Sequence, residues 1–500
     1  MGLPLEQSKF IKWIEEIIQT NYITMSSLKK NILYNSIRVG SNLVFPLITF
    51  PYVTRILGPE SLGLFNYVVA IVGYFTLFAN LGFPMYGTRE IAQTKNDPLQ
   101  LEKVTNSIFT AACISCLVMY LLYFITSIFI SGSSEDFIIF FITGLSILLS
   151  CISFEWFFQG IEDFKFITIR SIIIRVVTIV CLFVFVKSKE DLIAYAILNL
   201  LATCGSNIWN LIYIRKYIKL RLDFSECIKH TKGALTFFLG SIIVSLYTNL
   251  NSVMVGAMAS MAAVAFFTTG NKIVHLGTTF LGAIASSIMP RMAALYKDGD
   301  EETIIGLQKK TLELTYYTSI PCVIGMIILA HPLILLFGGV EFIPSVIVMQ
   351  ILSPIVVIIS LSQFLSNQIL VPLRKEKYNN YCVSVGAIAN IILNFILIPK
   401  YAEIGVAISV LCSELLVTGM FFYYASKYMK LKFSDFIPIK CLFASILMGG
   451  YLYYMCNNIN IAFFVHIIMG VIIYFVALLL MRDSFAIYFK NLILTKRHGK

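Results

Sequence analysis

The sequence predicts an all-α, polytopic membrane protein of about fourteen transmembrane helices. The first observation is composition: of 500 residues, 58% are hydrophobic and 13% charged, with a mean hydropathy of +0.83. Soluble chains run near half apolar and a quarter charged. The second is that apolar runs of about twenty residues, the length that crosses a bilayer, recur along the chain. No gap between them reaches the roughly 50 residues of a separate domain. The third is that lysine and arginine fall almost wholly on alternate connecting segments. A soluble enzyme is excluded, and any chemistry takes place within the membrane or at its rims.

Residues 1–30 form a polar or interfacial segment. Phe10, Ile11, Ile14, Ile17 and Ile18 recur at helical spacing, which fits a helix lying on the membrane surface. The stretch MSSLKKN from Met25 reads equally well as a natural start. No cleavable signal is visible, because an apolar core and a small-residue cleavage site are both missing. Apolar runs then place spans at 31–54, 61–87, 105–130, 137–158, 167–186, 192–213, 234–256 and 260–289. Six more follow at 311–330, 343–372, 379–398, 404–425, 438–456 and 460–481. Pro354 breaks the long tenth, and the short fifth contains Arg175. The expected organisation is an N-lobe over 31–232, a C-lobe over 233–430, two further helices over 438–481 and a basic tail over 482–500.

Orientation follows from the cations, which cytoplasmic loops retain. With the N-terminus inside, 31 of the 38 Lys and Arg lie on the cytoplasmic side, and only Arg55, Lys187, Lys189 and Lys400 lie outside. An even number of spans with both termini cytoplasmic is expected. The net charge of +11 is thereby explained by topology and by contact with anionic head groups, without a nucleic-acid partner. Eleven cysteines show no framework, and Cys113 and Cys116 form one CxxC inside an apolar run, so all read as apolar fillers. No phosphate-binding glycine loop, metal-ligand spacing or hydrolytic triad is present, and no cofactor is expected.

Polar residues inside spans are costly in lipid and turn toward a cavity or another helix. Asn35, Arg38, Asn42 and Thr49 share one stripe of the first span. Ser241, Ser245, Thr248 and Ser252 do so in the seventh, and Thr268, Lys272, His275, Thr279 and Ser286 in the eighth. Asn66, Gly73 and Asn80 form a weaker stripe in the second. Spans 7 and 8 stand where 1 and 2 would stand in a duplicated chain. Leu57-Gly58 is echoed by Val255-Gly256, and Pro84 to Arg89 by Pro290-Arg291.

The intramembrane cations Arg38, Arg175 and Lys272 face no Asp or Glu in spans 1, 2, 7 or 8. A cavity so lined suits an anion, since phosphate oxygens offset the desolvation of guanidinium and ammonium groups. The alternative is that each cation pairs with a helix carboxylate such as Glu155, Glu313 or Glu414. Glu414, near the middle of span 12, is the first candidate for a coupling group, with Glu313 second; a salt-bridge role stands equally open. His275 is a candidate cavity residue that fits packing as well as proton transfer.

Four strings occur in order: FPYVTRILGPESLGLFNY from Phe50, NLGFPMYGTREIAQ from Asn80, FEWFFQGIEDFKFI from Phe154 and IMPRMAALY from Ile288. Together they resemble the polysaccharide repeat-unit flippases, the Wzx family of the MATE-like exporter superfamily, over about residues 26–430. The resemblance implies two six-helix lobes around a central cavity, plus two C-terminal helices. It implies a flippase, not an enzyme, that turns an undecaprenyl-diphosphate-linked oligosaccharide from the inner to the outer leaflet of the bacterial plasma membrane. Transport would proceed by alternating access, driven by an ion gradient. The cationic positions of the superfamily's first and eighth helices fall on Arg38 and Lys272. Arg89 and Arg291, at the cytoplasmic ends of spans 2 and 8, would meet the head group first, or serve as plain anchors. Arg55 fits helix capping or interface snorkelling. Implied partners are the glycan lipid, the bilayer, and the polysaccharide polymerase and chain-length proteins.

Two other functions stay open. A multidrug branch of the same fold would export organic cations, but is expected to keep an acidic residue where this chain has Arg38. A polymerase or ligase would carry a sizeable external loop, and the longest here, about 330–342, is short. O-antigen, capsule and exopolysaccharide precursors are not distinguishable from this sequence.

Overall fold

The computed structural model describes residues 5–429, 431, 438–458, 463–483 and 486–487. Side chains are described for the same residues except 5–29, 32, 43, 239–241, 243–248, 280, 283–287, 456–458 and 463. The apolar face expected over 10–18, the seventh-span serines Ser241 and Ser245 with Thr248, Ser286 and most of the basic tail lie outside that description.

Among the described residues the structure is helical throughout, as lipid demands: a backbone that satisfies its own hydrogen bonds avoids leaving polar groups in hydrocarbon. The first two spans form one long helix, α1 (Leu5–Asn80), sharply kinked at Gly58, followed by α2 (Phe83–Thr94). Gly58 takes φ 72°, which a residue lacking Cβ adopts freely. Next come α3 (Pro98–Ile130), α4 (Ser134–Ser150), the short α5 (Glu155–Gly160), α6 (Phe164–Phe185) and α7 (Leu192–Tyr213). The second half has α8 (Cys227–Met258), α9 (Met261–Asp298), α10 (Glu301–Ile328) and the short α11 (Ala330–Phe337). The tenth span is broken at Pro354 into α12 (Ser345–Leu352) and α13 (Ile355–Leu365). Spans 11 and 12 are continuous in α14 (Glu376–Ser426), kinked where Pro399 precedes Ala402, itself at φ 45°. The last two are α15 (Ile439–Asn458) and α16 (Phe463–Leu480). Each of the fourteen predicted spans thus has its helix among the described residues.

Connections are capped by side chains that the sequence supplies at the right place. Asp97 accepts from the Leu99 and Gln100 amides, Ser133 from Asp136, Asp163 from Phe166, Ser260 from Ala263 and Asp300 from Thr303. The irregular stretch after α7 is held by buried polar groups of α3. Asn106 donates to the Lys219 carbonyl at 3.0 Å and accepts from the Arg221 amide at 3.2 Å, and Thr110 accepts from Asp223 at 2.8 Å. Beside it Glu226 lies between Lys103 and Lys229, each at 2.6 Å, and these two ammonium groups lower its carboxyl to about 2.

The chain divides into two compact units, one of Met1–Tyr52 with Val72–Ser241, the other of Val53–Ile71 with Ile242–Lys500. The first is cored by Phe83, Tyr86, Ile91, Phe154, Trp156, Phe157 and Phe158, and the second by Leu312, Tyr316, Phe364, Leu365, Cys441 and Leu478. Within lipid such contacts act through close packing more than through release of water.

Two predicted spans break before their expected ends. Span 2, expected to reach residue 87, leaves α1 at Asn80 and turns through Leu81 and Gly82, at φ 43° and 82°, into α2. Span 4 was expected to run to residue 158, but α4 stops at Ser150 and the chain turns through Phe154 at φ 42° before α5 begins. Two asparagines of α7 make that break tolerable: Asn207 donates to the Leu149 carbonyl at 2.9 Å, and Asn210 donates to that of Ser153. The break sets Glu155 at the start of α5.

Candidate functional site

In the first unit three helices bring their charges to Glu155. Arg38 of α1 donates Nη1 to Glu155 Oε1 in a very close ion pair. Arg170 of α6 lies with Nη2 3.5 Å from Oε2, and Gln159 donates to Oε1 at 3.2 Å. Asn35, one turn before Arg38, accepts from its Nε at 3.3 Å and its Nη2 at 3.1 Å, so part of the predicted first-span stripe acts as a unit. Arg170 is 1% exposed, donates Nη1 to Asn210 Oδ1 and stacks on the Phe166 ring at 5.6 Å. Arg175 donates to Ser41 Oγ at 3.4 Å and lies over Phe45 at 5.7 Å. Three guanidiniums and one carboxylate therefore leave this region two positive charges in excess. Asn42 is exposed on the same helix, one turn beyond Arg38.

The sequence marks Arg38 and Arg175 because each interrupts an apolar run. Arg170 was counted among loop cations, since it stands at the edge of its span, and it instead lies buried. Glu155 was foreseen only as a pairing partner for the cations, and for Arg38 that pairing is found.

The second unit holds a cavity of about 200 Å³, whose polar lining is Asn251, Asn271, His275, Thr278 and Glu414. Ile355, Ile359, Val274, Val410 and Phe267 supply the apolar remainder. Glu414 is buried, and the Thr278 hydroxyl lies 3.2 Å from His275 Nδ1. Next to the cavity, Asn394 donates Nδ2 to Asn251 Oδ1 at 2.8 Å and to Asn390 Oδ1 at 3.2 Å. The asparagines escaped the sequence reading. Asn390 and Asn394, one helical turn apart in an apolar run, were the available signal.

Lys272 is exposed on α9 and does not line this cavity, whereas its neighbours Asn271 and His275 do. Glu313, also exposed, lies on α10 and does not line this cavity. Asn66 donates to Thr268 at 3.0 Å, joining the polar stripes of the second and eighth spans within the second unit, while Asn80 belongs to the first unit. Arg89 pairs with its neighbour Glu90 at 2.9 Å and lies over the rings of Tyr86 and Phe237, both at 5.2 Å. Arg291 is exposed, next to Pro290 within α9. Arg55 caps a helix: its Nη2 donates to the Leu335 and Leu336 carbonyls of α11 at 3.1 and 2.8 Å.

Comparison with known proteins gives a consistent result. Residues 28–296 match the family described as "Polysaccharide biosynthesis protein". A protein of Escherichia coli K12 named "Putative O-antigen transporter" is 28% identical over 406 residues, 79% of this chain and 95% of that one. Among solved structures, the lipid II flippase MurJ in an inward closed conformation is similar with a TM-score of 0.63 at 16% identity, covering 90% of this chain and all of that one. An inward-facing MATE-family multidrug resistance transporter has a TM-score of 0.60 at 15% identity, covering 79% and 97%. These two structures establish a MATE-like fold. With more than half of its length matched, the chain belongs to the polysaccharide biosynthesis protein family.

Proposed function

We propose that this protein turns an undecaprenyl-diphosphate-linked oligosaccharide repeat unit from the inner to the outer leaflet of the bacterial plasma membrane. The observation that carries the proposal is the excess of guanidinium over carboxylate around Arg38, Arg170 and Arg175 in membrane-spanning helices. Charge within lipid is kept only where it serves a partner, and guanidinium forks match phosphate oxygens. An organic cation would be repelled from the same place, which argues against drug export.

Both termini face the cytoplasm in this proposal, as cation placement supports: 30 of the 38 lie on cytoplasmic segments once Arg170 is counted within its span. Arg89 and Arg291 then stand where the head group arrives, and Lys272 adds a further cation to its route. Two lobes expose the substrate alternately to the two leaflets, and Glu414, buried against the polar cavity with His275, couples the change to an ion gradient. Glu313 does not line that cavity and is the weaker coupling candidate.

The test is gradient-driven movement of a labelled undecaprenyl-diphosphate oligosaccharide in inverted membrane vesicles. The wild type should move it faster with an imposed proton gradient, and Glu414→Gln should move it at a slow rate that the gradient no longer changes. No movement by the wild type would remove the flippase assignment. Unchanged coupling in Glu414→Gln would leave that carboxylate structural.

A further inference from the structure

The arginine cluster of the first unit contains its own anion, and the contrast between anion and cations is informative. Arg170 is fixed: it is 1% exposed, bonded to Asn210 and stacked on Phe166. Its Nε nevertheless has no hydrogen-bond partner in a fully buried position, an arrangement that is costly for a charged group. Glu155 is more accessible than either arginine it pairs with, with 36% of its side chain accessible against 22% for Arg38 and 1% for Arg170. It stands just after the backbone break at Phe154, not in the middle of a long helix.

Glu155 presents one oxygen to each cation, Oε1 to Arg38 and Oε2 to Arg170. A phosphate group bridging two guanidiniums would use two of its oxygens in the same way. Among the described residues, Glu155 is the one carboxylate paired with these arginines. Once Glu155 is displaced, the three guanidiniums face the two negative charges of a diphosphate diester, one on each phosphate, so the ligand leaves no uncompensated anion in the site.

Resting on the function proposed above, we propose that Glu155 is a built-in counter-anion that occupies the phosphate position of the empty site and is displaced when a diphosphate binds. Two consequences follow. The empty site never leaves Arg38 and Arg170 bare in the membrane, where unpaired charge is most costly. The returning carboxylate also competes with bound diphosphate and so speeds release, which a transporter needs as much as binding. Glu155 is a positioning and specificity residue here, and Arg170 is the buried cation that fixes where it rests.

The experiment measures binding of farnesyl-diphosphate-linked N-acetylglucosamine, a short-chain glycan lipid, to the purified full-length protein in detergent. Glu155→Gln removes the competing charge and keeps the shape. Its affinity should rise about tenfold over wild type, while turnover in liposomes falls because release slows. Equal or weaker binding by Glu155→Gln would overturn the proposal and make Glu155 a simple buttress for the arginines. If that variant does not accumulate, Glu155→Asp withdraws the charge by one methylene. It should then bind a few-fold tighter than wild type, and wild-type or weaker affinity would again overturn the idea. Arg38→Ala provides the separate control: binding at wild-type strength there would remove the diphosphate site itself, whereas an unchanged Glu155→Gln removes only the counter-anion.

Discussion

Replacing Arg38 with alanine is expected to abolish surface polysaccharide while leaving the amount of protein in the membrane unchanged. The guanidinium meets Glu155 and Asn35 and is partly accessible, with 22% of its side chain exposed. Its loss leaves Glu155 still paired with Arg170, so the fold keeps its charge balance. The diphosphate, by contrast, loses one of its cations. Truncating one partner of a desolvated charge pair costs about 2–5 kcal/mol, which is roughly 30-fold or more in binding. Arg38→Lys retains the charge but not the planar fork, and should recover only part of the polymer. Immunoblots of membrane fractions alongside polymer staining check both halves. Wild-type polymer from Arg38→Ala would remove the residue from the substrate path.

The second large effect is structural. Gly82 joins α1 to α2 at φ 82°, and a Cβ there would strike the Ala234 carbonyl oxygen and meet the Phe238 amide nitrogen at 3.0 Å. Both obstacles are backbone of α8, which cannot rotate aside as a side chain can. Gly82→Ala therefore combines left-handed strain of about 1–2 kcal/mol with overpacking of about 1–3 kcal/mol. The expected result is a drop of about 2–5 °C in the melting temperature of the detergent-solubilised protein. Surface polymer would be lost because protein is lost, the reverse of the Arg38 pattern. An unchanged melting temperature would show that α8 yields at this point.

Much of this architecture was legible because lipid imposes a simple rule: a span is apolar for about twenty residues, and loops carry the cations. The breaks at Phe154 and Ala402 were not legible, since neither residue is a usual marker of a left-handed backbone. Phe154 turns because Asn207 and Asn210 of another helix accommodate the carbonyls that α4 leaves, a contact invisible in a local window. The site shows the same division. Arg38 and Arg175 stand out against apolar neighbours, and a polar stripe led to His275. Arg170 and Glu155 lie at the edges of spans, where charged residues are ordinary, and only the fold shows that one is buried and that the other bridges two cations. Asn251, Asn271 and the pair Asn390 and Asn394 are uncharged and spread over three helices, so their meeting at and beside the Glu414 cavity could be seen only once α8, α9 and α14 were placed.

The most direct test of the account uses liposomes carrying a fluorescent undecaprenyl-diphosphate oligosaccharide, with a membrane-impermeant quencher outside. With the purified protein present, the fraction of lipid that the quencher can reach should rise beyond the half initially in the outer leaflet. That rise should disappear when the lipid carries a monophosphate or when Arg38 is alanine. Equal quenching with and without the protein would contradict the account at its centre, and equal movement of the monophosphate lipid would show that the arginines do not recognise the diphosphate.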